Sequence, residues 1–430
     1  MKLPGFIKNN LLFKVTSANA FLVFAKMGFT LITQKVLAII IGAEGIALVG
    51  NLKNVTAFFE KFSVLGTSNG LVKYVAEYKD DKQKLNQLFS TTLLFSTAAA
   101  LLSFCILFFG ASFLNQSIFG ETRDFKLIFK ILAFVIPFLS LNAIVNALLN
   151  GLSAYKIFTK ATLVIVVVNT VLIVGFTYKL GLYGSLVAVA IIPIVQFICY
   201  IVITFKTSFT YISLKGVTLN LSFKNKLLPY SLMTIVVVLF ANINEIAIRR
   251  LIEHKISIAD SGYWTAMNSI SNAYMQFTAA IFPLYILPRY ARITNTYNFR
   301  KEVKHIYKML LPLLIVGLFL VFLLKQQIIT LLYTPEFLEM SKYFKWQLLG
   351  DLVKFTAFVI AYQFLAKKQT TNFIITELFS VIVFYMLSVY FIDYYGTEGV
   401  VIAHFIRYIL YFLVVLFILR KSFVGVNRAL

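Results

Sequence analysis

The chain has 430 residues, of which 60% are hydrophobic and only 13% charged, whereas soluble domains are about 45–50% apolar and about 25% charged. This composition excludes a soluble enzyme and a disordered tail, and the presence of only two cysteines, Cys105 and Cys199, excludes a secreted disulfide scaffold. Forty Lys and Arg residues against 17 Asp and Glu residues give a net charge of +23, but these cations lie between long apolar segments and form no basic domain for nucleic acid.

Long apolar segments follow one another along the whole chain. A membrane-spanning helix needs about 20 mostly apolar residues, and about twelve segments meet this requirement. We therefore predict an all-α polytopic membrane protein. The ninth segment is short, and we expect it to begin earlier, near Val303. The predicted spans are 15–41, 45–72, 86–110, 127–150, 157–178, 181–205, 227–248, 263–288, 309–324, 346–366, 371–391 and 399–419.

Lys and Arg residues in the connections predict how the chain lies across the membrane. Cytoplasmic connections are enriched in these cations, and one predicted side carries 23 of them against nine on the other. The nine include Arg249 and Arg250, which we assign to the connection after the seventh span. Both ends of the chain fall on the richer side, so cytoplasmic N- and C-termini are predicted. The segment MKLPGFIKNN lacks the apolar core of a cleaved signal peptide.

The two halves of the sequence match weakly at an offset of about 215 residues. Residues 181–188 (GLYGSLVA) align with residues 396–403 (GTEGVVIA), and Gly45 aligns with Gly262 at a similar offset. Chance is the alternative explanation, because glycine is common. Six spans return a chain to the side where it began, so a genuine repeat would be a parallel one.

This repeat predicts two lobes of six helices each. The N-lobe would comprise residues 1–206 and the C-lobe residues 227–430, joined by a polar, basic cytoplasmic linker at 207–226. Two such lobes around a site at the membrane midplane are typical of transporters. The sequence has no phosphate-binding Gly-x-x-x-x-Gly-Lys-Ser/Thr loop, which disfavours an ATP-driven pump. No metal site is predicted either, because the three His and two Cys residues lack ligand spacing.

Charged residues also occur inside the predicted spans. Each costs about 2.5–3.5 kcal/mol to insert, so such residues usually face a wet cavity or a partner. At about 100° per residue, four pairs of ionisable residues share a helix face, three of them an acid with a base and one a histidine with an arginine. Each pair has either a structural role, such as an ion pair, or a role in a site. The pairs are Lys53 with Glu60, Glu245 with Arg249, Asp351 with Lys354, and His404 with Arg407.

Cations deep within the spans outnumber the acids, and a positive interior suits an anionic passenger. The candidate substrate-binding cations are Lys26, Lys53, Lys61, Lys354 and Arg407. The candidates for charge balance or ion coupling are Glu60, Asp351, Glu377 and His404. A single histidine on an apolar helix is more often hydrogen-bonded packing than a proton relay. Histidine nevertheless has the unperturbed pKa closest to neutrality.

Three regions carry a family resemblance. They are GNLKN at 50–54 with GLVKYVAEY at 70–78, NSISNAYMQF at 268–277 continuing to Arg289, and WQLLGDLVK at 346–354, the most specific. These regions resemble the second, eighth and tenth helices of the Wzx-type lipid-linked oligosaccharide flippases, which include O-antigen translocases and lipid III flippases. Asn272 stands where a relative in this family carries Asp, so an acidic role is not carried over to that position.

The resemblance implies a polysaccharide transporter of the MOP superfamily, with a V-shaped, MATE-like fold of two bundles and alternating access. Its passenger would be an undecaprenyl-diphosphate-linked oligosaccharide, such as an O-antigen repeat unit, moved from the cytoplasmic to the periplasmic leaflet of the bacterial inner membrane. The lipid bilayer, a polysaccharide polymerase and chain-length proteins would be partners. An H⁺ or Na⁺ gradient, or the membrane potential, would drive transport without a bound cofactor.

The residues alone leave two other functions possible. One is an ion-coupled multidrug or small-molecule exporter of the same superfamily, which the surplus of buried cations disfavours. The other is a membrane enzyme that transfers or polymerises sugars, which the absence of large extramembrane connections disfavours.

Overall fold

A computed structural model describes residues 11–211 and 220–423, and these residues form a succession of helices with no β-strand among them. The predicted all-α membrane fold is therefore confirmed. The chain ends and part of the predicted linker, residues 212–219, lie outside the described residues. The helices are α1 Leu11–Phe62, α2 Ser68–Tyr78, α3 Lys82–Phe109, α4 Ala111–Phe119, α5 Lys126–Gly151, α6 Tyr155–Tyr211, α7 Lys224–Lys255, α8 Ile258–Ile281, α9 Leu287–Arg292, α10 Thr296–Leu323, α11 Lys325–Leu332, α12 Phe344–Ala366, α13 Thr370–Tyr395, α14 Thr397–Ile418 and α15 Arg420–Phe423.

Nine helices in the described parts of the chain are long and apolar enough to cross a membrane. Two of the nine are far longer than one span requires: Phe24–Phe62 has 39 residues and Lys156–Phe205 has 50. Each is broken by one glycine with a non-helical backbone, Gly42 in α1 and Gly181 in α6. The predicted boundaries near these glycines match the breaks, while the count of twelve spans stays a prediction.

The breaks share a Gly-x-x-Gly pattern, which also joins α13 to α14. The first glycine of each pattern has a left-handed φ: 61° at Gly42, 57° at Gly181 and 57° at Gly396. The second glycine of the pattern in each matched octet lies against backbone. A Cβ added at Gly184 would be 2.1 Å from the Phe176 carbonyl oxygen, and one added at Gly399 would be 2.2 Å from the Phe391 carbonyl oxygen. Glycine is thus needed twice, once for φ and once for close approach. The octets predicted as a repeat therefore share the backbone conformation of their first glycine and the close approach at their second.

The predicted second span, 45–72, was too long. The helix ends at Phe62, and a turn over residues 63–67 separates it from α2. Leu65 and Gly66 both have positive φ in this turn, which no helix can accommodate. The Thr67 hydroxyl donates to the Val64 carbonyl oxygen at 2.7 Å, a local bond that competes with helix continuation. Apolar composition alone could not show this break.

Two other predicted boundaries were also wrong. The ninth segment begins before residue 309, as predicted, but its helix α10 starts at Thr296 and not near Val303, because Asn295 caps the helix by accepting a hydrogen bond from the Asn298 amide at 2.8 Å. The seventh span does not end at 248, since α7 continues to Lys255. Arg249 therefore lies inside a helix and is buried, not in a connection.

The chain divides into two compact units, one made of residues up to Val36 with Leu48–Asn242, the other of Leu37–Ala47 with Ile243–Leu430. The first unit has an apolar core in which Val75, Leu88 and Leu148 are buried. In the second unit, large aromatic side chains around a 3₁₀ helix at Pro335–Tyr343 are fully buried. The lobe boundaries predicted from the sequence stay a prediction.

Candidate functional site

Three helices of the second unit, α12, α13 and α14, pack against one another and carry five of the nine predicted site residues. Small side chains permit this packing. Along α13 the buried positions Thr376, Ser380 and Ser388 lie on one face. On α12, a Cβ at Gly350 would lie 2.4 Å from the His404 Cδ2 atom of α14. Glycine at 350 therefore allows the His404 ring to lie directly against α12.

Asp351, beside that glycine, has a completely buried carboxylate. The Ser271 hydroxyl donates to its Oδ2 atom at 2.6 Å and the Tyr274 hydroxyl at 2.5 Å. The Gln347 amide donates at 3.3 Å, and His404 Nε2 lies 3.2 Å from Oδ1. These contacts give the carboxylate four polar partners from three helices, α8, α12 and α14. Asp351 and Lys354 were predicted to share a helix face; they form no ion pair within 4.0 Å, and the Asp351 carboxylate instead belongs to a hydrogen-bond network across three helices.

Lys354 and Arg407 both lie against the ring of Tyr408. The Lys354 ammonium nitrogen is 5.6 Å from the ring centroid and the Arg407 guanidinium carbon is 4.2 Å from it. Arg407 also lies 4.5 Å from the Phe384 ring and donates to the Tyr408 hydroxyl. Aromatic faces attract cations without neutralising them. Within the described residues, neither cation has a carboxylate within 4.0 Å.

Glu377 on α13 is half-buried, and its Oε1 atom accepts one hydrogen bond, from the Tyr411 hydroxyl at 3.0 Å. It forms no ion pair with a described residue. The Arg407 Nε atom is buried and likewise has no hydrogen-bond partner among the described residues. The Asp351 carboxylate, by contrast, accepts hydrogen bonds from Ser271, Tyr274 and Gln347. The cluster thus combines one saturated acid with cations and an acid that retain bonding capacity.

The other four predicted residues belong to the first unit. Lys26 is half-buried and makes no hydrogen bond or ion pair within the described part of the chain. Glu60 pairs with its neighbour Lys61 at 2.6 Å, and both side chains are about two-fifths exposed, at 42% and 39%. Glu60 thus forms its ion pair with Lys61, while the shared helix face of Lys53 and Glu60 stays a prediction. Lys53 is half-buried and has an interaction partner.

The pair predicted on α7 is present. Arg249 lies 3.3 Å from the Glu245 carboxylate, and its Nε atom donates to the Thr265 hydroxyl at 2.9 Å. The guanidinium also lies 5.4 Å from the ring of Trp264. The Arg249 side chain is 5% exposed and that of Glu245 is 45% exposed. The guanidinium is therefore buried between α7 and α8, whereas the Glu245 carboxylate reaches the surface. These contacts give the buried guanidinium partners on both α7 and α8.

Several residues in the cluster were not predicted as site residues. They are Ser271, Tyr274, Gln347, Tyr408 and Tyr411. Gln347 could have been found, because it lies four residues before Asp351 on the same helix face. Ser271 and Tyr274 share a face of α8, but their target lies 80 and 77 residues further along the chain, a distance that helix periodicity cannot bridge.

The fold has counterparts among solved structures. An inward-facing multidrug resistance MATE family transporter of the MOP superfamily matches with a TM-score of 0.71 and 14% identity, over 92% of this chain and 95% of that one. The lipid II flippase MurJ matches with a TM-score of 0.68 and 18% identity, over 95% of this chain and 88% of that one. The fold is therefore that of MOP-superfamily transporters.

Sequence comparisons define the family. Residues 12–294 match the polysaccharide biosynthesis protein family, and the chain belongs to it. It is also similar to proteins named lipid III flippase from Escherichia coli (strain K12) and Shigella flexneri, each 28% identical over 394 residues, covering 90% of this chain and 93% of the relative. The resemblance found in the sequence is confirmed.

Proposed function

We propose that this protein is a flippase for an undecaprenyl-diphosphate-linked oligosaccharide, the repeat unit of O-antigen or of a related surface polysaccharide. It would move this passenger from the cytoplasmic to the periplasmic leaflet of the bacterial inner membrane by alternating access, with both termini cytoplasmic. Membership of a polysaccharide biosynthesis family, the relatives named lipid III flippase and the fold shared with a lipid II flippase support the proposal.

One observation carries the proposal: Lys354 and Arg407 lie on the same tyrosine ring and lack carboxylate partners among the described residues. Two unpaired cations in a membrane-spanning helix bundle are costly. A diphosphate would compensate both through charge-assisted hydrogen bonds, which are roughly twice as strong as neutral ones. The polyprenyl tail would stay in the lipid while the diphosphate and sugars cross.

The test compares a variant that lacks both cations with a control variant that lacks one exposed lysine of the same helix. Lys354→Gln with Arg407→Gln should abolish surface polysaccharide at normal protein levels and cause the lipid-linked precursor to accumulate in the cytoplasmic leaflet. Lys345 is the control, because it lies on the same helix and 4.7 Å from the Trp346 ring, but it is exposed. Mass spectrometry of the accumulated precursor would also identify the sugars. Normal flux in the double variant would reject these assignments.

Lys26, Lys53 and Lys61 of the first unit are proposed as further contacts to the anionic head. Lys26 is the strongest of the three, because it alone has no bonding partner within the described residues, whereas Lys61 is neutralised by Glu60. Lys26→Gln should therefore reduce flux more than Lys61→Gln. Equal losses in the two variants would remove this ranking.

For ion coupling, Glu377 is the better candidate than Asp351. The Asp351 carboxylate already accepts bonds from Ser271, Tyr274 and Gln347, whereas Glu377 accepts one, from Tyr411. A coupling acid must be able to bind H⁺ or Na⁺ without breaking a saturated network. Glu377→Gln should abolish the dependence of flux on an imposed H⁺ or Na⁺ gradient. Retained dependence in that variant would point to His404 or to the membrane potential.

An ion-coupled multidrug exporter is the second candidate, favoured by the fold shared with a MATE transporter. A drug-accumulation assay separates the two functions: gradient-driven efflux of cationic drugs without any effect on polysaccharide would establish the exporter.

Protein partners are proposed from the nature of the passenger, since a flipped repeat unit is the substrate of a polymerase and its chain-length protein. Co-purification of either with this chain from membranes tests that proposal.

A further inference from the structure

A cluster of lysines and aromatic rings, all in the first unit, lies where α2 approaches the beginning of α7. We call it the lysine–tyrosine surface; it comprises Lys73, Tyr74, Tyr78, Lys84, Phe223, Lys226 and Tyr230. The Lys226 ammonium nitrogen is 5.0 Å from the Phe223 centroid and 5.3 Å from that of Tyr78. Lys73 lies 5.1 Å from Tyr74, and Lys84 lies 5.3 Å from Tyr78.

The rings form a rigid base for these cations. Tyr74 and Tyr78, one helical turn apart on α2, stack with their centroids 6.1 Å apart and an interplanar angle of 9°. Phe223 is buried and packs edge-on against both rings. The Thr91 hydroxyl of α3 donates to the Asn220 carbonyl oxygen at 2.9 Å, which fixes the segment before α7. The positions of the ammonium groups are therefore determined by packed residues.

The lysines are exposed and only partly neutralised. Lys73 donates to the Tyr230 hydroxyl at 3.3 Å and Lys226 to the Tyr78 hydroxyl at 3.0 Å. Neither has a carboxylate within 4.0 Å in the described ranges, whereas Lys84 pairs with Asp81 at 3.1 Å. Burial lowers the pKa of Lys73, but the Tyr230 hydrogen bond and the electrostatic interactions with Tyr230, Tyr74 and Glu77 together outweigh this effect, and the net shift is upward. Lys73 is thus charged at neutral pH.

The surface lies at the level where exposed side chains change from charged to apolar. On α7, Lys224 and Lys226 are exposed, and one to two turns later Leu228 and Leu232 are 44% and 60% exposed. A helix in a membrane shows this change at the boundary between headgroups and hydrocarbon. Tyrosine is enriched at the same depth, with its hydroxyl in the headgroup region.

We propose that the lysine–tyrosine surface binds the phosphate groups of anionic phospholipid headgroups in the leaflet that it faces, which the charge distribution predicts to be the cytoplasmic one. The ammonium groups of Lys73 and Lys226 each donate one hydrogen bond to a tyrosine hydroxyl. Since an ammonium group has three N–H donors, the others can bind phosphate oxygens. The Tyr74 ring lies against both ammonium groups, and the Tyr230 and Tyr78 hydroxyls each accept a hydrogen bond from one of them. These contacts hold the two cations in place, so the surface fits phosphate more closely than a flexible polybasic segment would.

Binding of phosphatidylglycerol and phosphatidylethanolamine to the purified full chain, measured by native mass spectrometry, tests the proposal. Lys73→Gln with Lys226→Gln should weaken retention of phosphatidylglycerol roughly fivefold for each lysine removed, and should leave phosphatidylethanolamine unchanged. The control is Lys301→Gln with Lys304→Gln on α10, which removes the same charge from exposed lysines with no described ring contact. Lys73→Arg with Lys226→Arg should retain binding and shows that the helices remain folded.

Three outcomes would overturn the proposal. One is unchanged phosphatidylglycerol retention in the glutamine variant. Another is an equal loss in the α10 control, which would mean that net charge alone determines binding. The third is weaker binding of added undecaprenyl diphosphate with phosphatidylglycerol unaffected, which would assign the surface to the proposed passenger. The third outcome would leave the flippase proposal intact, since that proposal rests on Lys354 and Arg407.

Discussion

Replacing Gly350 with alanine should disrupt the Asp351 network from a neighbouring position. The new Cβ would lie 2.4 Å from His404 Cδ2, 3.1 Å from its Nε2 and 3.2 Å from the Phe405 Cα atom, where ordinary contact begins at 3.4 Å. The ring cannot move freely, because its Nε2 atom lies 3.2 Å from Asp351 and 3.3 Å from Gln347. Overpacking of this kind costs about 1–3 kcal/mol, more than the roughly 0.5–1 kcal/mol that alanine gains over glycine in a helix.

The matched control is Gly317→Ala on α10, where an added Cβ meets no atom within 4 Å. The free energy of unfolding in mixed micelles, measured by denaturant titration, should fall for Gly350→Ala and stay constant or rise for Gly317→Ala. In a His404→Ala background the same Gly350→Ala change should cost much less, because the clashing ring is gone. Equal effects of the two glycine substitutions would refute the steric argument, and so would identical costs in both backgrounds.

Two further predictions concern stability. Tyr274→Phe removes a donor from the Asp351 carboxylate and should lower the free energy of unfolding by about 1–3 kcal/mol. The control, Tyr290→Phe, removes a buried hydroxyl with no hydrogen-bond partner among the described residues and should be neutral or stabilising. Similar changes in the free energy of unfolding for both variants would contradict the role of the Asp351 network. Arg249→Met removes the contacts to Glu245, Thr265 and Trp264 and should cost about 1–3 kcal/mol by the same titration. The exposed Arg292→Met should change the value by less than about 0.5 kcal/mol, and a comparable loss there would show that Arg249 has no special role.

Hydropathy predicted the class of fold, because the membrane requires long apolar helices with satisfied backbones. It could not predict every break within apolar sequence. At Leu65 the backbone turns although the side chain is apolar, and the determinants are the positive φ of Gly66 and local hydroxyl bonds. The breaks at Gly42 and Gly181 fall at predicted span boundaries, but the left-handed φ of these glycines could not be inferred from hydropathy.

Partners within the site were predictable only inside one helix. Glu245 and Arg249, four residues apart, form the expected pair. Glu60 instead pairs with the adjacent Lys61, because long side chains can bend toward a neighbour that helix geometry places off the shared face. The partners of Asp351 come from α8 and α14 as well as from its own helix, and helix periodicity contains no information about such contacts.

The three Gly-x-x-Gly turns also bear on how the protein enters the membrane. At each turn a single left-handed glycine separates two apolar helices, so there is no polar loop that could cross the bilayer before them. Because no loop separates them, we expect the helices on either side to insert into the membrane in close succession, each with its backbone bonds satisfied within the helix. We therefore expect replacement of the first glycine of such a turn to impair membrane integration of the nascent chain as well as the folded protein.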